Sequence, residues 1–205
     1  MARSTPGVTR QRILAEAIRL FSTRGYGATT VAEIQVACGL TAGSGALYKH
    51  FPSKKALLEH AVREHVDTMA RKHEDAATQL PEDPREALRL IADTVWEVIE
   101  TDRDLIRIML REFDGFAELF EQMWQGVLAN LYRQCTAWIA AQRELGTVDV
   151  ADPEATTAVL IGSLTYYPLL EAMIGHSPGD VEPERFRTAW LDHAAGTLKL
   201  DKEER

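Results

Sequence analysis

Residues Thr30 to Leu58 read TVAEIQVACGLTAGSGALYKHFPSKKALL, and the order of their helix and turn signals decides the fold. Thr30-Val-Ala-Glu33 is a capping box: a threonine and a glutamate three residues on satisfy each other's free N–H groups and start a helix. Val31, Ile34 and Ala37 are expected to face inward from it. Gly39 ends that helix, because glycine takes the left-handed backbone that closes a helical end. A further short helix is predicted to run to about His50. Phe51-Pro52-Ser53 then breaks the chain, and Ser53 is a fitting cap for a helix opening at Lys54. Two short helices around a glycine turn make the layout of a helix-turn-helix, whose second helix enters a DNA major groove while its neighbours grip phosphates.

Upstream, Thr9 to Arg24 is a first helix with Ile13, Ala17, Leu20 and Phe21 on one face, stopped by Gly25. Downstream, the helix from Lys54 towards Ala77 is apolar at first (Leu57, Leu58, Ala61, Val62) and charged later. Such a helix bridges two bodies, which places a domain boundary near residue 52: residues 1–52 as the DNA-reading domain, residues 53–205 as a helical body. Asp83 caps a fifth helix with Pro84 at its first position. Leu105 to Phe113 is a sixth, and the stripe from Phe116 through Met123 and Cys135 to Trp138 is a long seventh. An eighth covers 153–174, and a ninth starts near Glu184. No strand-rich segment interrupts this order, so the fold class is all-α, a three-helix N-terminal domain followed by a helical bundle.

The charge divides along the same line. Residues 1–60 hold eight basic and three acidic residues, net +5, although the whole chain of 205 residues is at −8. A basic head on an acidic body suits a protein that meets a polyanion with one end only. Apolar content is 45% and charged content 26%, the composition of an ordinary soluble globular protein. No uninterrupted apolar run has the length of a membrane span and no secretory signal opens the chain, so a cytoplasmic protein is expected. Cys38 and Cys135 form no CxxC pair and are read as reduced thiols, Cys38 packing at the turn.

Several spaced elements carry a family resemblance. Gly25-Tyr-Gly-x-Thr-Thr30, Gly39-Leu40-Thr41, Leu47-Tyr48-Lys49-His50-Phe51 and Ser53-Lys54 together resemble the N-terminal domain of the tetracycline-repressor (TetR) family of bacterial regulators. The match spans about the first 60 residues. One departure stands out: Ala42-Gly43-Ser44-Gly45-Ala46 makes the approach to Leu47 longer than is usual in the family. The two glycines soften any helix there, each costing roughly 1 kcal/mol against alanine. The expected DNA contacts are Thr30 and Lys54 at helix starts, for phosphates; the small Thr41, Ser44, Gly45 and Ala46, for close backbone approach; and Tyr48, Lys49 and His50, for polar tips and charge. Leu47 and Phe51 are core anchors. Taken alone, Tyr48 and His50 read as surface residues of a packed helix.

The resemblance implies a ligand-responsive regulator, a repressor released from a palindromic operator by a small apolar or aromatic molecule. It also implies a C-terminal bundle for ligand binding and dimerisation, and a homodimer formed through the last two helices. Candidate pocket residues are Trp96, Met109, Phe113, Met123, Trp124, Tyr166 and Tyr167, each of which also reads as plain core packing. The eighth helix is apolar on nearly every side, so more than one face needs cover, and Pro168 is expected to kink it. Arg103, Arg107 and Arg111 align at i, i+4, i+8 and read as a solvated, salt-bridged face beside Asp104 and Glu112. The alternative is a helical ligand carrier or protein-interaction module that does not bind DNA. No nucleophile elbow, P-loop or zinc spacing is present, and His60, Glu64 and His65 have the wrong spacing for a metalloprotease helix. No catalytic residue, cofactor or metal is expected.

Overall fold

Helix α1, Pro6–Arg24, buries Ile13, Ala17, Leu20 and Phe21 on the face that the spacing predicts. The computed structural model describes residues 6–43, 45–75 and 80–200, and all their side chains except those of residues 6–8, 69–75, 113 and 178. After α1 come α2 (Val31–Ala37), a 3₁₀ turn (Leu47–Lys49) and α3 (Lys54–Asp75). Then follow α4 (Pro84–Thr101), α5 (Arg103–Arg111), α6 (Ala117–Met123), a π-helical stretch (Trp124–Leu128), α7 (Ala129–Glu144), α8 (Pro153–Ile174) and α9 (Pro183–Thr197). No strand occurs among the described residues. The long seventh helix of the sequence reading is therefore two α-helices joined by a π-helical stretch.

The caps behave as their chemistry requires. The Ser53 hydroxyl accepts the Ala56 N–H at 3.0 Å, Asp83 accepts the Glu86 N–H at 2.8 Å, and Asp152 accepts the Ala155 N–H at 3.0 Å. Prolines 84, 153 and 183 occupy first-turn positions, where no N–H is missed. Gly175 closes α8 at φ 86°, a left-handed angle that a β-carbon disfavours.

The chain forms two compact units: Met1–Met69 with Asp104–Met123, and Ala70–Arg103 with Trp124–Arg205. This partition differs from a single cut at residue 52. The first unit keeps the beginning of α3 and draws in residues 104–123, because Leu105, Ile108, Met109, Phe116, Leu119 and Met123 share one apolar cluster with Ile13, Phe21, Ile34, Leu47, Phe51 and Leu58. Each large side chain buried in this way contributes roughly 1.5–3 kcal/mol.

The second unit is a bundle. Leu88, Ile91 and Val95 of α4, Cys135 and Ile139 of α7, Leu160, Ile161 and Leu164 of α8, and Trp190 and Ala194 of α9 are buried. The Trp190 indole N–H reaches the Leu160 carbonyl and the Ser163 hydroxyl, both at 3.1 Å, and fixes α9 on α8. Tyr167, 2% exposed, stacks on Phe186 with centroids 4.6 Å apart and donates its hydroxyl to the Val181 carbonyl. Helix α8 has the length and composition of a membrane span. Its Leu160, Ile161, Leu164 and Tyr167 are nonetheless buried in this bundle, while Val159, Tyr166, Met173 and Ile174 face outward.

Candidate nucleic-acid interface

The turn after α2 is built by hydrogen bonds before any surface residue is placed. Gly39 sits at φ 68° and donates to the Val36 carbonyl at 2.9 Å; Leu40 N–H donates to the Gln35 carbonyl at 2.8 Å. Gln35, 1% exposed, then accepts the Gly43 N–H on its side-chain oxygen at 3.0 Å. The inward stripe of α2 is Val31, Ile34, Gln35 and Cys38; Ala37, expected inside, is exposed. The 3.6-residue period explains the shift, since Cys38, seven residues after Val31, completes the two turns that Ala37 misses. Gln35 is the anchor that sequence reasoning missed, and its place one turn after Val31 is the signal that marks it.

Gly43 (φ 72°) and Gly45 (φ 67°) are both left-handed. A right-handed helix cannot propagate through such residues, so the third element of the head is shorter than expected. It is the 3₁₀ turn Leu47–Lys49, closed by Tyr48 N–H to Gly45 O at 3.1 Å and by His50 N–H and Phe51 N–H to Leu47 O at 2.9 Å. Leu47 and Phe51 are buried at 0% and 2% and pin this turn to the core. Between those anchors Tyr48 is 55% exposed, Lys49 is exposed, and His50 is half-buried. Thr41 is exposed and Gly45 and Ala46 are half-buried on the same segment. Ser44 lies outside the described residues.

Thr30 and Lys54 stand apart from this segment in what they do. The Thr30 hydroxyl accepts the Glu33 N–H at 3.2 Å, and the Glu33 carboxylate accepts the Thr30 N–H at 2.7 Å, which completes the capping box. The bonds that the Glu33 carboxylate accepts from the Thr30 N–H and, at 2.8 Å, from the Thr30 hydroxyl, the backbone one first, and then the nearby Arg24 guanidinium hold the Glu33 carboxyl below its ordinary pKa. The Lys54 ammonium donates to the carbonyls of Tyr26 at 2.6 Å and Thr29 at 2.8 Å, so two of its three N–H groups are committed to the head's own backbone.

Residues 104–123 reach the same link. The Tyr26 ring packs edge-on between Phe21 (5.1 Å) and Phe116 (4.8 Å), and the Tyr26 N–H donates to the Glu112 carboxylate at 3.3 Å. Burial first, and then the Glu112 and Glu59 charges, push the Tyr26 phenol up. The Ser22 hydroxyl donates to Asp104 at 2.6 Å, while Arg111 donates to the Ser22 carbonyl at 3.2 Å. The expected solvated, salt-bridged face of Arg103, Arg107 and Arg111 holds only for Arg103, which pairs with Glu100 at 3.9 Å and also donates to the Glu171 carbonyl; Asp104 and Glu112 bond to α1 and its link instead, and the Arg107 Nε is buried with no acceptor.

The seven candidate pocket residues are divided between the two units. Met109 and Met123 lie in the apolar core of the first unit. Trp96 and Tyr167 meet in the second unit at 5.4 Å, where Tyr167 fills the bundle. Trp124 is 39% exposed and packs on Tyr132 at 6.2 Å, and Tyr166 is 58% exposed. The side chain of Phe113 lies outside those described. The second unit contains an apolar cavity of about 10 Å³ lined by Leu88, Ile91, Cys135, Trp138, Leu160 and Trp190, among others. The Trp138 indole N–H is buried there without an acceptor.

A capped α2, a glycine turn and an exposed tip held by two core anchors make the first unit a helix-turn-helix DNA-binding head. The family profile for bacterial regulatory proteins of the tetR family matches residues 13–61, and that for the C-terminal domain of AefR-like transcriptional repressors matches residues 86–198, over half of the chain. The chain belongs to the TetR family of ligand-responsive DNA-binding transcriptional regulators. It is 33% identical over 187 residues to the HTH-type transcriptional repressor KstR2 of Rhodococcus jostii, covering 75% of this chain and 90% of that protein. It is 24% identical over 192 residues to the HTH-type transcriptional regulator EthR of Mycolicibacterium smegmatis, covering 92% and 87%. A third relative, the HTH-type transcriptional regulator YerO of Bacillus subtilis, is 34% identical over 104 residues, and there the match spans only 35% of the relative's length. The ketosteroid transcriptional regulator KstR2 of Mycobacterium tuberculosis has the same fold, with a TM-score of 0.68 at 21% identity over 100% of this chain and 98% of that one. These names favour a regulator over a carrier that does not bind DNA.

Proposed function

We propose that the protein is a homodimeric repressor that grips a near-palindromic operator with two copies of the Thr41–His50 segment and lets go when a small apolar molecule enters the second unit. The observation that carries this reading is the 55% exposure of Tyr48 between two buried anchors. An aromatic residue held outward by a rigid base is fit to meet a base edge or a backbone sugar. Thr41, Ser44, Gly45, Ala46, Lys49 and His50 belong to the same contact surface. Thr30 and Lys54 are assigned to it through the backbone they hold, Thr30 by capping α2 and Lys54 by clamping the 25–30 link.

The dimer contact is assigned to α8 and α9. Val159 and Tyr166 are 59% and 58% exposed and lie two turns apart on α8. Ala155, Ala158 and Gly162 on the same side are small enough for a close helix approach. Dimerisation supplies the second cover that a helix apolar on nearly every side requires.

The effector site is assigned to the α4–α7–α8–α9 core, with Trp96 and Tyr167 on its aromatic side. Its cavity of about 10 Å³ is far below the ~300–1,000 Å³ of typical ligand sites. Entry of an effector must therefore push these helices apart, which is how binding energy shifts a population between two states. An effector with one hydrogen-bond acceptor would satisfy the Trp138 N–H. Operator binding is tested by selecting random duplexes with the purified protein in the cytosolic range of ionic strength. Recovery of a palindrome whose binding is lost in Tyr48→Ala supports the reading; recovery of no preferred duplex overturns it.

A further inference from the structure

We propose that Arg10 is a phosphate contact of the DNA-binding head and that His60 is its proton-sensitive brace, so that mild acid loosens the grip on DNA. The inference rests on the assignment of the Thr41–His50 segment to DNA. Arg10 of α1 lies with its guanidinium carbon 5.3 Å from the centroid of the Phe51 ring. Phe51, 2% exposed, closes the Leu47–Lys49 turn by donating its N–H to the Leu47 carbonyl. The guanidinium is thereby carried on a residue that anchors the reading segment to the core. Arg10 is exposed, and its partners are an imidazole and an aromatic face rather than a carboxylate, so its charge remains open to an anion. The first turn of α1 holds no acidic residue that would repel one.

His60 of α3 sets where that charge stands. Its Nδ1 lies 3.4 Å from a terminal nitrogen of Arg10, and its ring packs on Phe51 with centroids 5.5 Å apart. A guanidinium has only donors, so the Nδ1 that faces it is an unprotonated acceptor and the imidazole is neutral, with its hydrogen on Nε2. That nitrogen faces one oxygen of the Glu64 carboxylate at 3.7 Å, while the other oxygen accepts the Gln11 amide at 3.2 Å. Burial first, and then the Arg10 charge, hold the imidazole below its ordinary pKa of 6.5; Glu64 pulls it up by less, and Arg63 adds a push down. The switch therefore lies below that value. A second ring proton turns Nδ1 into a donor and sets two cations against each other across 3.4 Å. Arg10 then leaves Phe51 and regains its rotamer freedom. A braced arginine meets a phosphate with less ordering to do, an advantage of about two- to tenfold in affinity.

The test is anisotropy titration of the full-length protein with the duplex it selects from a random pool, over a salt series, from about pH 7.5 down to about pH 5, the range in which histidine titrates. At the upper pH, Arg10→Ala should lower the salt slope by about one while its circular dichroism and oligomeric state stay unchanged. As the pH falls, the advantage of the native protein over Arg10→Ala should shrink by about two- to tenfold. His60→Asn, whose carboxamide oxygen replaces Nδ1 as an acceptor that does not titrate, should match the native protein at the upper pH and keep its advantage at the lower. His60→Leu should be weakened at both. A native salt slope in Arg10→Ala, or an acid response in His60→Asn equal to the native one, overturns the proposal. If Tyr48→Ala abolishes the preference for the selected duplex in the same experiment, the assignment of the reading segment stands and only the brace falls; a native protein that selects no duplex overturns both.

Discussion

Lys54 holds Tyr26 in two ways: its ammonium donates to the Tyr26 carbonyl at 2.6 Å and stands 4.2 Å from the centroid of the Tyr26 ring. Lys54→Met keeps the aliphatic stem and removes both contacts, together with the bond to Thr29. The loss expected is at least about 2 kcal/mol, since each charge-assisted hydrogen bond contributes roughly 1.5–3 and the cation–π contact roughly 0.5–1. Urea unfolding checks it. An unchanged midpoint would show that Lys54 is not a clamp.

Tyr48 and Lys49 are neighbours in sequence with separable roles. Either alanine variant should keep its stability within about 0.5 kcal/mol, because neither side chain packs in the core. In anisotropy titrations, Lys49→Ala should lower the salt slope of DNA binding by about one, the mark of a lost phosphate contact. Tyr48→Ala should cost roughly 1–3 kcal/mol at the preferred duplex. Equal weakening of specific and random duplexes by Tyr48→Ala would remove it from base reading.

Val159→Asp tests the pairing of chains. The residue is 59% exposed, so the folded subunit tolerates a charge there. Across a helix–helix interface the same carboxylate is buried and unpaired, at a cost of several kcal/mol. Sedimentation should show monomers of normal helicity that bind a palindrome weakly. A variant that remains dimeric would move the contact elsewhere.

Acid should weaken the head through Glu33, whose carboxyl is held below its ordinary value of 4.5 chiefly by its bond to the Thr30 backbone. A carboxyl with a depressed folded-state pKa supports the fold fully above its unfolded pKa. That support disappears as the pH falls through the lower folded value. The acid sensitivity below about pH 4.5 should be blunted in Glu33→Gln, followed by circular dichroism.

Both thiols should resist labelling in the native protein. Burial pushes the Cys135 thiol up to about 11, and burial also raises Cys38, which is 1% exposed. Thiolates, the reactive form, are therefore scarce at pH 8. A disulfide reagent should react with both only in denaturant; rapid reaction of the folded protein at either site would contradict the packing.

Much of this architecture could be read in advance because helix caps and breaks are local. Thr30-x-x-Glu33, Ser53 and Asp83-Pro84 each act within one turn of chain, and all hold in the structure. What sequence missed depends on distant partners. Nothing near Glu112 reveals that its carboxylate meets the Tyr26 N–H, and nothing near Met109 and Met123 reveals that they share a core with α1. The brevity of the third element was half legible. Gly43 and Gly45 warned of a weak helix, but the bond from the Gly43 N–H to buried Gln35, which fixes the left-handed path, needs the folded α2. Trp138 carried no signal, since an indole at helical spacing reads as core until its N–H is seen to lack an acceptor.

The membership of residues 104–123 in the first unit bears on how such regulators are recombined. A chimaera that grafts residues 1–52 onto the remainder of a relative would part Ser22 from Asp104 and Tyr26 from Glu112 and Phe116. The transplanted reader would then sit on foreign residues at the place where its first helix is braced. Exchange of operator specificity between relatives calls for two grafts, the front segment and its brace, moved as one cassette.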